Sequence, residues 1–349
     1  MKNYISGWLE GKLRKKGPLG PYSALKIALI SDALTQVSLE VECQVKYVTP
    51  FNYQRIFEEW RPDLLFVESA WQGYGDTWKY KIANYPAHPD RTNHALKQVV
   101  EGARDANIPA IFWNKEDSVH YERFVNSAGL FDYIFTVDEN CVPAYKRDIP
   151  SAAVVDSLMF PVQPRFHYPD VSADERLGFS CFVGSYGTHV HPQRRRWQDM
   201  LFQVFAPAGL DIYDRNSSRK ATHYRYPIIS GMRIRSKVPY PKTARLYRSY
   251  KFNLNVNTVE DSPTMYSRRL IEILAAGGVA ISTPSLAATR LFSNYCHIAD
   301  SLEGFQEVVD WSAEEYGRAV QRARAGAEIV LREHVWAKRL EKFEKLNIF

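Results

Sequence analysis

Residues 259–283 have the sequence VEDSPTMYSRRLIEILAAGGVAIST, and the order of residue types predicts a loop, a helix, a tight turn and a strand. Ser262 is a good N-cap because its hydroxyl can accept an amide hydrogen of the first helical turn. Pro263 would stand at the first helical position, where its missing N–H costs nothing. We expect the helix to run to about Ala276 and to end at Gly277 and Gly278, which can adopt positive φ.

The expected helix combines an apolar face with a carboxylate. Leu270 and Leu274 share one face that fits against a sheet, whereas Glu272 lies roughly opposite Leu270, on a face that need not be buried. The helix N-terminus offers positive partial charge and free amides to the phosphates of a nucleotide, and Glu272 could bind the ribose hydroxyls. The alternative is a solvated Glu272 in an i,i+4 pair with Arg268.

This stretch resembles the donor-site helix of GT-B glycosyltransferases, and more narrowly that of the spore-maturation (CgeB-type) glycosyltransferase-like proteins. Residues 68–71 (ESAW), 113–117 (WNKED) and 131–138 (FDYIFTVD) are similar to the same proteins, so the resemblance covers both halves of the chain. It implies an α/β fold of the GT-B type, with two facing Rossmann-like domains, parallel sheets and an interdomain cleft. Many retaining GT-B enzymes have a pair of glutamates, of which the second matches Glu272 and the first falls on Thr264.

Composition sets the broad class of the protein. A chain of 349 residues exceeds one ordinary core and predicts two domains. Its 45% hydrophobic and 24% charged residues are typical of a soluble globular protein. The net charge of +6 favours anionic ligands, but the basic residues form no long tract with interleaved aromatics, so we expect no nucleic-acid partner.

Cysteine spacing and hydropathy indicate a reducing compartment. The four cysteines are far apart and show no zinc or redox spacing, and no apolar run approaches the ~20 residues of a bilayer span. We therefore expect a cytoplasmic protein. Residues 1–24 are basic, so a peripheral contact with the inner face of the membrane is one hypothesis for them, and a strap across the first domain is the alternative.

Apolar runs alternate with helical segments in both halves, which is typical of parallel α/β sheets. Strands are predicted at residues 26–31, 45–49, 63–68, 110–114, 133–137, 153–157, 179–183, 210–213, 252–256, 279–282 and 296–298. Prolines interrupt the chain between the two halves, and we expect the domain boundary near residues 160–175. We expect a lead-in at 1–24, an acceptor domain at 25–165, a donor domain at 166–330 and, at 331–349, a helix that crosses back to the first domain.

Candidate bases follow two strands of the first half, where parallel sheets bind ligands. Glu68 opens a polar, aromatic loop over residues 68–78, and residues 114–120 (NKEDSVH) contain two carboxylates and a histidine. Neighbouring carboxylates raise one another's pKa and histidine titrates near neutrality, so Glu68, Asp117 and His120 are the candidate general bases. The alternative is that Asp117 or Ser118 only caps a helix.

Donor-binding residues are expected in the second half. Residues 184–188 form a glycine-containing turn after a strand, which lets the backbone approach a phosphate. Arginines at 194–196 oppose the helix dipole, so at least one is expected to bind an anion, with a solvated face as the alternative. The expected donor-binding residues are Gly184, Ser185, Tyr186, Arg215, Ser262, Thr264, Met265, Tyr266, Arg268 and Glu272.

Together with these features, the resemblance to GT-B glycosyltransferases implies a metal-independent, hexosyltransferase-like enzyme with no cofactor. It would transfer a sugar from a nucleotide sugar, with a UDP-sugar as the expected donor, to a hydroxyl of a glycan or protein in surface glycan, polysaccharide or glycoprotein assembly. A non-catalytic nucleotide- or glycan-binding protein of the same fold is the alternative. A nicotinamide oxidoreductase or sugar epimerase is disfavoured, because no strand ends in the dinucleotide fingerprint.

Overall fold

The computed structural model describes residues 17–170 and 176–349, which divide into two compact units. Unit 1 contains the described residues up to Phe160, together with Pro263–Met265 and Trp336–Phe349. Unit 2 contains the remainder. Most of the predicted lead-in, with its membrane contact, lies outside the described residues. Within them, no helix combines the length and the apolar character needed to cross a bilayer.

Unit 1 is built on a six-stranded, all-parallel sheet with the strand order β2-β1-β3-β4-β5-β6. Its strands are β1 (Lys26–Ile30), β2 (Gln44–Tyr47), β3 (Leu64–Glu68), β4 (Ala110–Asn114), β5 (Tyr133–Thr136) and β6 (Val154–Ser157). Every residue of β3 is buried. Burial on both faces is why this strand is a continuous apolar run rather than an alternating one.

Unit 2 has a second six-stranded parallel sheet with the order β12-β11-β10-β7-β8-β9. Its strands are β7 (Gly178–Gly184), β8 (Leu210–Asp214), β9 (Met232–Ser236), β10 (Tyr250–Asn255), β11 (Ala280–Ser282) and β12 (His297–Ile298). The two parallel sheets confirm the expected pair of Rossmann-like domains.

Helices connect the strands in both units. They are α1 (Ala33–Leu39), α2 (Tyr53–Arg55, continued by a π-helical turn Ile56–Trp60), α3 (His94–Asp105), α4 (Tyr121–Ala128), α5 (Val142–Asp148), α6 (Pro192–Phe205), α7 (Thr243–Ser249), α8 (Arg268–Ala275), α9 (Leu286–Phe292), α10 (Leu302–Val309), α11 (Ala313–Glu333) and α12 (Trp336–Lys345). Crossover helices of this kind are what parallel strands require.

Strand β9 is a correction, because the sequence predicts no strand between residues 213 and 252. The residues MRIRS are half-buried or exposed throughout, because β9 is an edge strand. Its exposed arginines give it a composition typical of a solvated loop. Arg233 and Arg235 are held on the sheet by the buried carboxylate of Asp211, with Nε–Oδ1 distances of 2.7 and 3.2 Å. Charged side chains are a common feature of edge strands, which they protect from further pairing.

Helix α8 is shorter than predicted and begins at Arg268 rather than Pro263. Three hydrogen bonds hold the preceding residues out of helical geometry. The hydroxyl of Thr264 donates to the carbonyl of Val137 (2.9 Å) and accepts from the amide of Glu139 (2.8 Å), and the amide of Ser267 donates to Asn257 Oδ1 (3.0 Å). Ser262 is therefore not the N-cap of α8, and the N-terminus of this helix lies after Met265 rather than before it.

The other end of α8 agrees with the sequence. The helix stops at Ala275, and Gly277 has a φ of 74°, a conformation that glycine adopts without strain. Leu270 and Leu274 are fully buried, as expected of the apolar face. Burying each leucine contributes about 1.5–3 kcal/mol to stability.

The C-terminal segment forms two helices, α11 and α12, separated by His334 and Val335. The amide of Val162 donates to the carbonyl of His334 (2.8 Å), and Val335 pairs with Val162 in an isolated parallel bridge. This extended pairing interrupts the helical hydrogen bonds, so α12 starts afresh at Trp336. From there the chain belongs to unit 1.

Candidate functional site

Glu272 is the buried acid of unit 2. Helix α8 places it in the interior with 0% exposure. This corrects the expectation that Glu272 lies on a face that need not be buried, and it excludes a solvated ion pair with Arg268. Its Oε2 accepts a hydrogen bond from the hydroxyl of Tyr247 (3.3 Å), and its Oε1 has no protein partner. A buried carboxylate oxygen without a hydrogen bond is rare and costly, because the charge loses its hydration.

Three arginines of unit 2 form no salt bridge with this acid or with another carboxylate of the described residues. Arg269 is buried, donates from Nε to the carbonyl of Val183 (2.6 Å), and lies with Cζ 4.2 Å from the ring centroid of Phe182. Arg194 is half-buried, and Arg215 is exposed. Within residues 17–170 and 176–349, none of the three has a carboxylate at salt-bridge distance.

Electrostatic effects show that these charges share one environment. Burial, together with the nearby charges of Arg194 and Arg215, lowers the pKa of Arg269 to about 10. Burial raises the pKa of Tyr247, and Glu272 raises it further, whereas Arg269 and Arg215 oppose that change. Glu272 and the arginines therefore act on the same tyrosine without forming ion pairs.

Several buried polar atoms in this environment lack a partner. Besides Glu272 Oε1, they include Arg194 Nε, the hydroxyl of Tyr226 and Nδ1 of His167. Burial lowers the pKa of His167 to about 4, against the opposing effect of Glu272, so the ring is neutral at physiological pH. Donors and acceptors left open in a protein interior are suited to a polar ligand.

Local structure explains why these residues meet. Gly184 ends β7, and a Cβ there would lie 2.5 Å from Phe182 Cε1 and 2.8 Å from Arg269 Nη2. The glycine thus makes room for the guanidinium, which differs from the expected direct approach of backbone to phosphate. Asn257 follows β10 and binds the carbonyl of Thr283 through Nδ2 (2.7 Å), which fixes the loop that leads to α8.

The other expected donor-binding residues divide into three groups. Ser185 lies beside the arginines, with its carbonyl accepting from Arg194 Nη2 (3.4 Å), and Arg268 is the first residue of α8. Tyr186 and Tyr266 are core residues whose hydroxyls bond Asp199 Oδ1 and His334 Nδ1. Ser262 is fully buried, whereas Thr264 and Met265 belong to unit 1.

In unit 1, Glu68 is committed to structure. It is fully buried at the end of β3, where Oε1 accepts from the amide of Asp32 (2.9 Å) and lies 3.0 Å from Lys115 Nζ. Its Oε2 accepts from the hydroxyl of Thr35. Both carboxylate oxygens are therefore occupied, and the residue joins the start of α1 to the loop after β4.

Asp117 is fully buried and carries an unusual pKa. Its Oδ1 accepts from Asn114 Nδ2 (2.7 Å), and its Oδ2 accepts from the hydroxyls of Thr136 (2.7 Å) and Tyr145 (2.9 Å). Burial raises its pKa to about 7, although the hydroxyl donors oppose the change. The group is protonatable near neutrality but enclosed by its own neighbours.

His120 is the most accessible of the three candidate bases. It precedes α4, is half-buried, and stands edge-to-face with Trp71, with ring centroids 5.2 Å apart. Burial lowers its pKa and Arg123 lowers it further, whereas Glu116 opposes the change. The imidazole is therefore neutral at physiological pH, which is the state of a general base.

No group of three or more histidine, cysteine, aspartate or glutamate side chains suited to a metal occurs among the residues that the structure describes. The expectation of metal-independent chemistry remains a prediction.

Sequence reasoning missed Arg269, Tyr247, Tyr226 and His167. A signal existed for Arg269, because residues three apart on a helix share a face and Glu272 is three positions on. None existed for the others, which come from separate segments of unit 2.

Residues 190–345 match the model of a family described as glycosyl transferase-like. No curated protein sequence matches the chain significantly. The family match lies in the second half of the chain and includes Arg194, Arg215, Arg269 and Glu272.

Solved structures extend the similarity to nearly the whole chain. An α-glucosyltransferase in complex with UDP and DNA gives a TM-score of 0.60 at 10% identity, covering 93% of this chain and 99% of that chain. HepE from Anabaena in complex with UDP and glucose gives 0.57 at 10% identity, covering 92% and 90%. A sucrose-phosphate synthase from Thermosynechococcus elongatus gives 0.53 at 10% identity, covering 84% and 75%. The chain therefore has the GT-B fold.

Proposed function

We propose that this protein is a glycosyltransferase whose unit 2 binds a nucleoside-diphosphate sugar, with a UDP-sugar as the expected donor. One observation carries the proposal: the fully buried Glu272 has an open Oε1, and Arg194, Arg215 and Arg269 have no carboxylate partner in the described chain. A nucleotide sugar satisfies both, because ribose hydroxyls donate to a carboxylate and a diphosphate accepts from guanidinium groups.

The chemistry assigned to the arginines follows from charge. When the sugar leaves its nucleotide, negative charge accumulates on the diphosphate, and preorganised donors that meet this charge lower the barrier. Arg269 is held by Val183 and Phe182 before any ligand arrives, so little reorganisation is needed. Because Arg269 is buried, its interaction with an anion is stronger than it would be in water.

Two comparisons support this assignment. The glycosyl transferase-like family match covers all four residues of the proposed donor site. Two of the structurally similar proteins were solved with UDP bound, one of them with glucose as well. The CgeB-type subfamily, a hexosyl donor and a role in surface glycan, polysaccharide or glycoprotein assembly remain predictions from the sequence.

We assign the base to His120 rather than Glu68 or Asp117. Both carboxylates are fully buried with their oxygens occupied by protein donors, so an acceptor hydroxyl has no access to them. His120 is half-buried and its lowered pKa keeps it neutral. A neutral imidazole can accept the proton of the attacking hydroxyl.

Thermal stabilisation by UDP, GDP, dTDP and CMP tests the donor site. A ligand at 100 times its Kd should add about 2.7 kcal/mol to the free energy of unfolding. In Glu272→Gln the affinity should fall by about 10- to 100-fold, since a charged hydrogen bond is worth about 1.5–3 kcal/mol. His120→Ala should retain nucleotide binding and lose most hydrolysis of the sugar donor.

Glu303→Gln is the matched control, because this glutamate is exposed on α10 of the same unit. It should bind nucleotide like the wild type. If no nucleotide stabilises the wild-type protein, or if Glu272→Gln binds as well as Glu303→Gln, the donor site is not where we place it. Nucleotide binding without any turnover would favour the non-catalytic alternative.

A further inference from the structure

A cluster of cationic and aromatic side chains covers part of unit 1 and has no role in the donor site. It combines the β3–α3 loop, residues 69–93, with the first turn of α4. We call it the arginine–tyrosine surface, and it consists of Lys79, Tyr80, Tyr85, Arg91 and Arg123.

The loop that carries this surface is fixed in place. The buried ring of Trp78 donates from Nε1 to the carbonyl of Val48 (2.8 Å). The hydroxyl of Ser127 on α4 donates to the carbonyl of Ile82 (2.6 Å). Asn84 and Arg123 exchange two hydrogen bonds, from the Asn84 amide (2.6 Å) and from Arg123 Nη1 (2.9 Å). A surface anchored in this way needs little reorganisation to bind a ligand.

Aromatic rings and guanidinium groups are stacked within the surface. Tyr80 and Tyr85 stand edge-to-face at 5.4 Å, and Arg91 Cζ lies 3.9 Å from the Tyr80 centroid and 5.2 Å from that of Tyr85. Arg123 Cζ lies 5.4 Å from the Tyr85 centroid, and Lys79 Nζ lies 5.0 Å from that of Tyr80. Stacking orients a guanidinium while leaving its N–H edge free.

The positive charges are not balanced locally. Across the described residues, Lys79, Arg91 and Arg123 have no carboxylate within salt-bridge distance. The side chain of Arg91 makes no hydrogen bond within the described protein, so all five of its N–H donors are available. An arginine with free donors on a rigid support is suited to a planar or tetrahedral oxyanion.

The surface adjoins the candidate base. Arg123 lies one turn after His120, with its amide hydrogen-bonded to the His120 carbonyl (3.0 Å), and Trp71 of the same loop contacts the His120 ring. A polymer held by Arg91 and Arg123 would therefore extend past this histidine.

The ligand chemistry follows from which faces are free. A single-stranded nucleic acid needs open aromatic faces for base stacking and a longer basic track. Here one face of Tyr80 is covered by Arg91, and the basic groups are few. Carboxylates or phosphates on a sugar chain require only the guanidinium edges.

We infer that the arginine–tyrosine surface binds an anionic glycan, and that the acceptor of the transfer is a sugar chain bearing carboxylate or phosphate groups. The identification of this glycan as the acceptor rests on the proposed function. The binding of an anionic glycan to this surface does not depend on the proposed function.

Calorimetric titration of the full chain tests the inference with three oligosaccharide probes: an oligogalacturonate, its methyl-esterified form and a phosphorylated maltooligosaccharide. We expect binding of at least one anionic probe, weakened by added salt, and none of the esterified form. Whichever anionic probe binds identifies the group. The double variant Arg91→Gln/Arg123→Gln should bind about tenfold more weakly, because it loses two ion pairs that solvent screens and that are each worth only a few-fold in affinity.

Two further variants secure this result. Arg91→Gln alone should also bind more weakly, and it leaves the Asn84–Arg123 bonds intact, so a folding defect would not explain it. Arg104→Gln removes the same charge from the far end of α3, where Arg104 faces Asp132 at 3.8 Å, and should bind like the wild type.

Three outcomes would overturn the inference: equal binding of the esterified probe, equal loss in Arg104→Gln, or tighter binding of a single-stranded oligonucleotide than of either anionic glycan. UDP stabilisation measured on the same samples separates the two proposals. If UDP fails to stabilise the wild type while the anionic glycan binds, only the donor-site proposal is lost.

Discussion

Burial determines what the charged side chains of this chain can do. Glu68, Asp117 and Glu272 are all fully buried, yet their surroundings differ. The oxygens of Glu68 and Asp117 are filled by protein donors, whereas Glu272 keeps Oε1 open. The same residue type is therefore structural in unit 1 and available for binding in unit 2.

Asp117 should make stability depend on pH. Its folded pKa of about 7 is above the ordinary value of 3.8, so between pH 4 and 7 the folded protein holds a proton that the unfolded chain releases. The free energy of unfolding must then fall as pH rises through this window. The loss is about 1.4 kcal/mol for each unit by which the two pKa values differ.

Asp117→Asn removes this titration and provides the measurement. In urea unfolding, the difference in the free energy of unfolding between wild type and variant should shift against the wild type between pH 5 and pH 8. Asp90→Asn, at an exposed position, is the control and should parallel the wild type. A constant difference between Asp117→Asn and wild type at both pH values would contradict the raised pKa.

At the scale of elements, the proposed donor site depends on how β7 and α8 approach each other. Arg269 extends from the first turn of α8 to the end of β7, where the carbonyl of Val183 accepts its Nε. The approach is close because Gly184 has no side chain: a Cβ would be 2.8 Å from Arg269 Nη2. Gly184, which the sequence analysis expected to contact phosphate, therefore makes room for the guanidinium of Arg269.

Gly184→Ala should lower both stability and nucleotide affinity. The new methyl overlaps the Phe182 ring, and overpacking of this kind costs about 1–3 kcal/mol, while displacing Arg269 weakens the phosphate contact. Chemical denaturation and UDP titration measure the two effects.

Gly317→Ala is a matched control, because no atom lies within 4 Å of a Cβ built there and the residue is inside α11. It should gain about 0.5–1 kcal/mol from helix propensity, with unchanged UDP affinity. Equal behaviour of the two variants would show that Gly184 does not position Arg269.

At the scale of the whole molecule, the end of the chain completes the first unit. Helix α12 places Phe343 against Phe135, with centroids 4.8 Å apart, and Trp336 against Trp113 at 5.7 Å. Arg339 donates from Nε to the carbonyl of Met159 (2.7 Å). The core of unit 1 therefore includes residues of α12, which are far from its six strands in the sequence.

Phe343→Ala should therefore destabilise unit 1 by about 3–5 kcal/mol, the usual cost of removing a fully buried aromatic ring. Phe51→Ala is the control, since that ring is 89% exposed and its loss should change stability by no more than about 0.5 kcal/mol. Hydrogen exchange of β3 and β5 would report the effect locally. Similar protection in both variants would show that α12 is not part of the unit 1 core.

The sequence by itself determined the two parallel sheets and the end of α8 before Gly277, because apolar runs and glycine act over a few neighbouring residues. The role of Glu272 in donor binding stays a prediction. It did not predict β9, whose exposed arginines resemble a loop, or the late start of α8. That start depends on Thr264 bonding the backbone of residues 137 and 139, which are distant in the chain. Only the tertiary structure decided which carboxylates are open and which arginines are unpaired, since burial and partnership come from segments far apart in sequence.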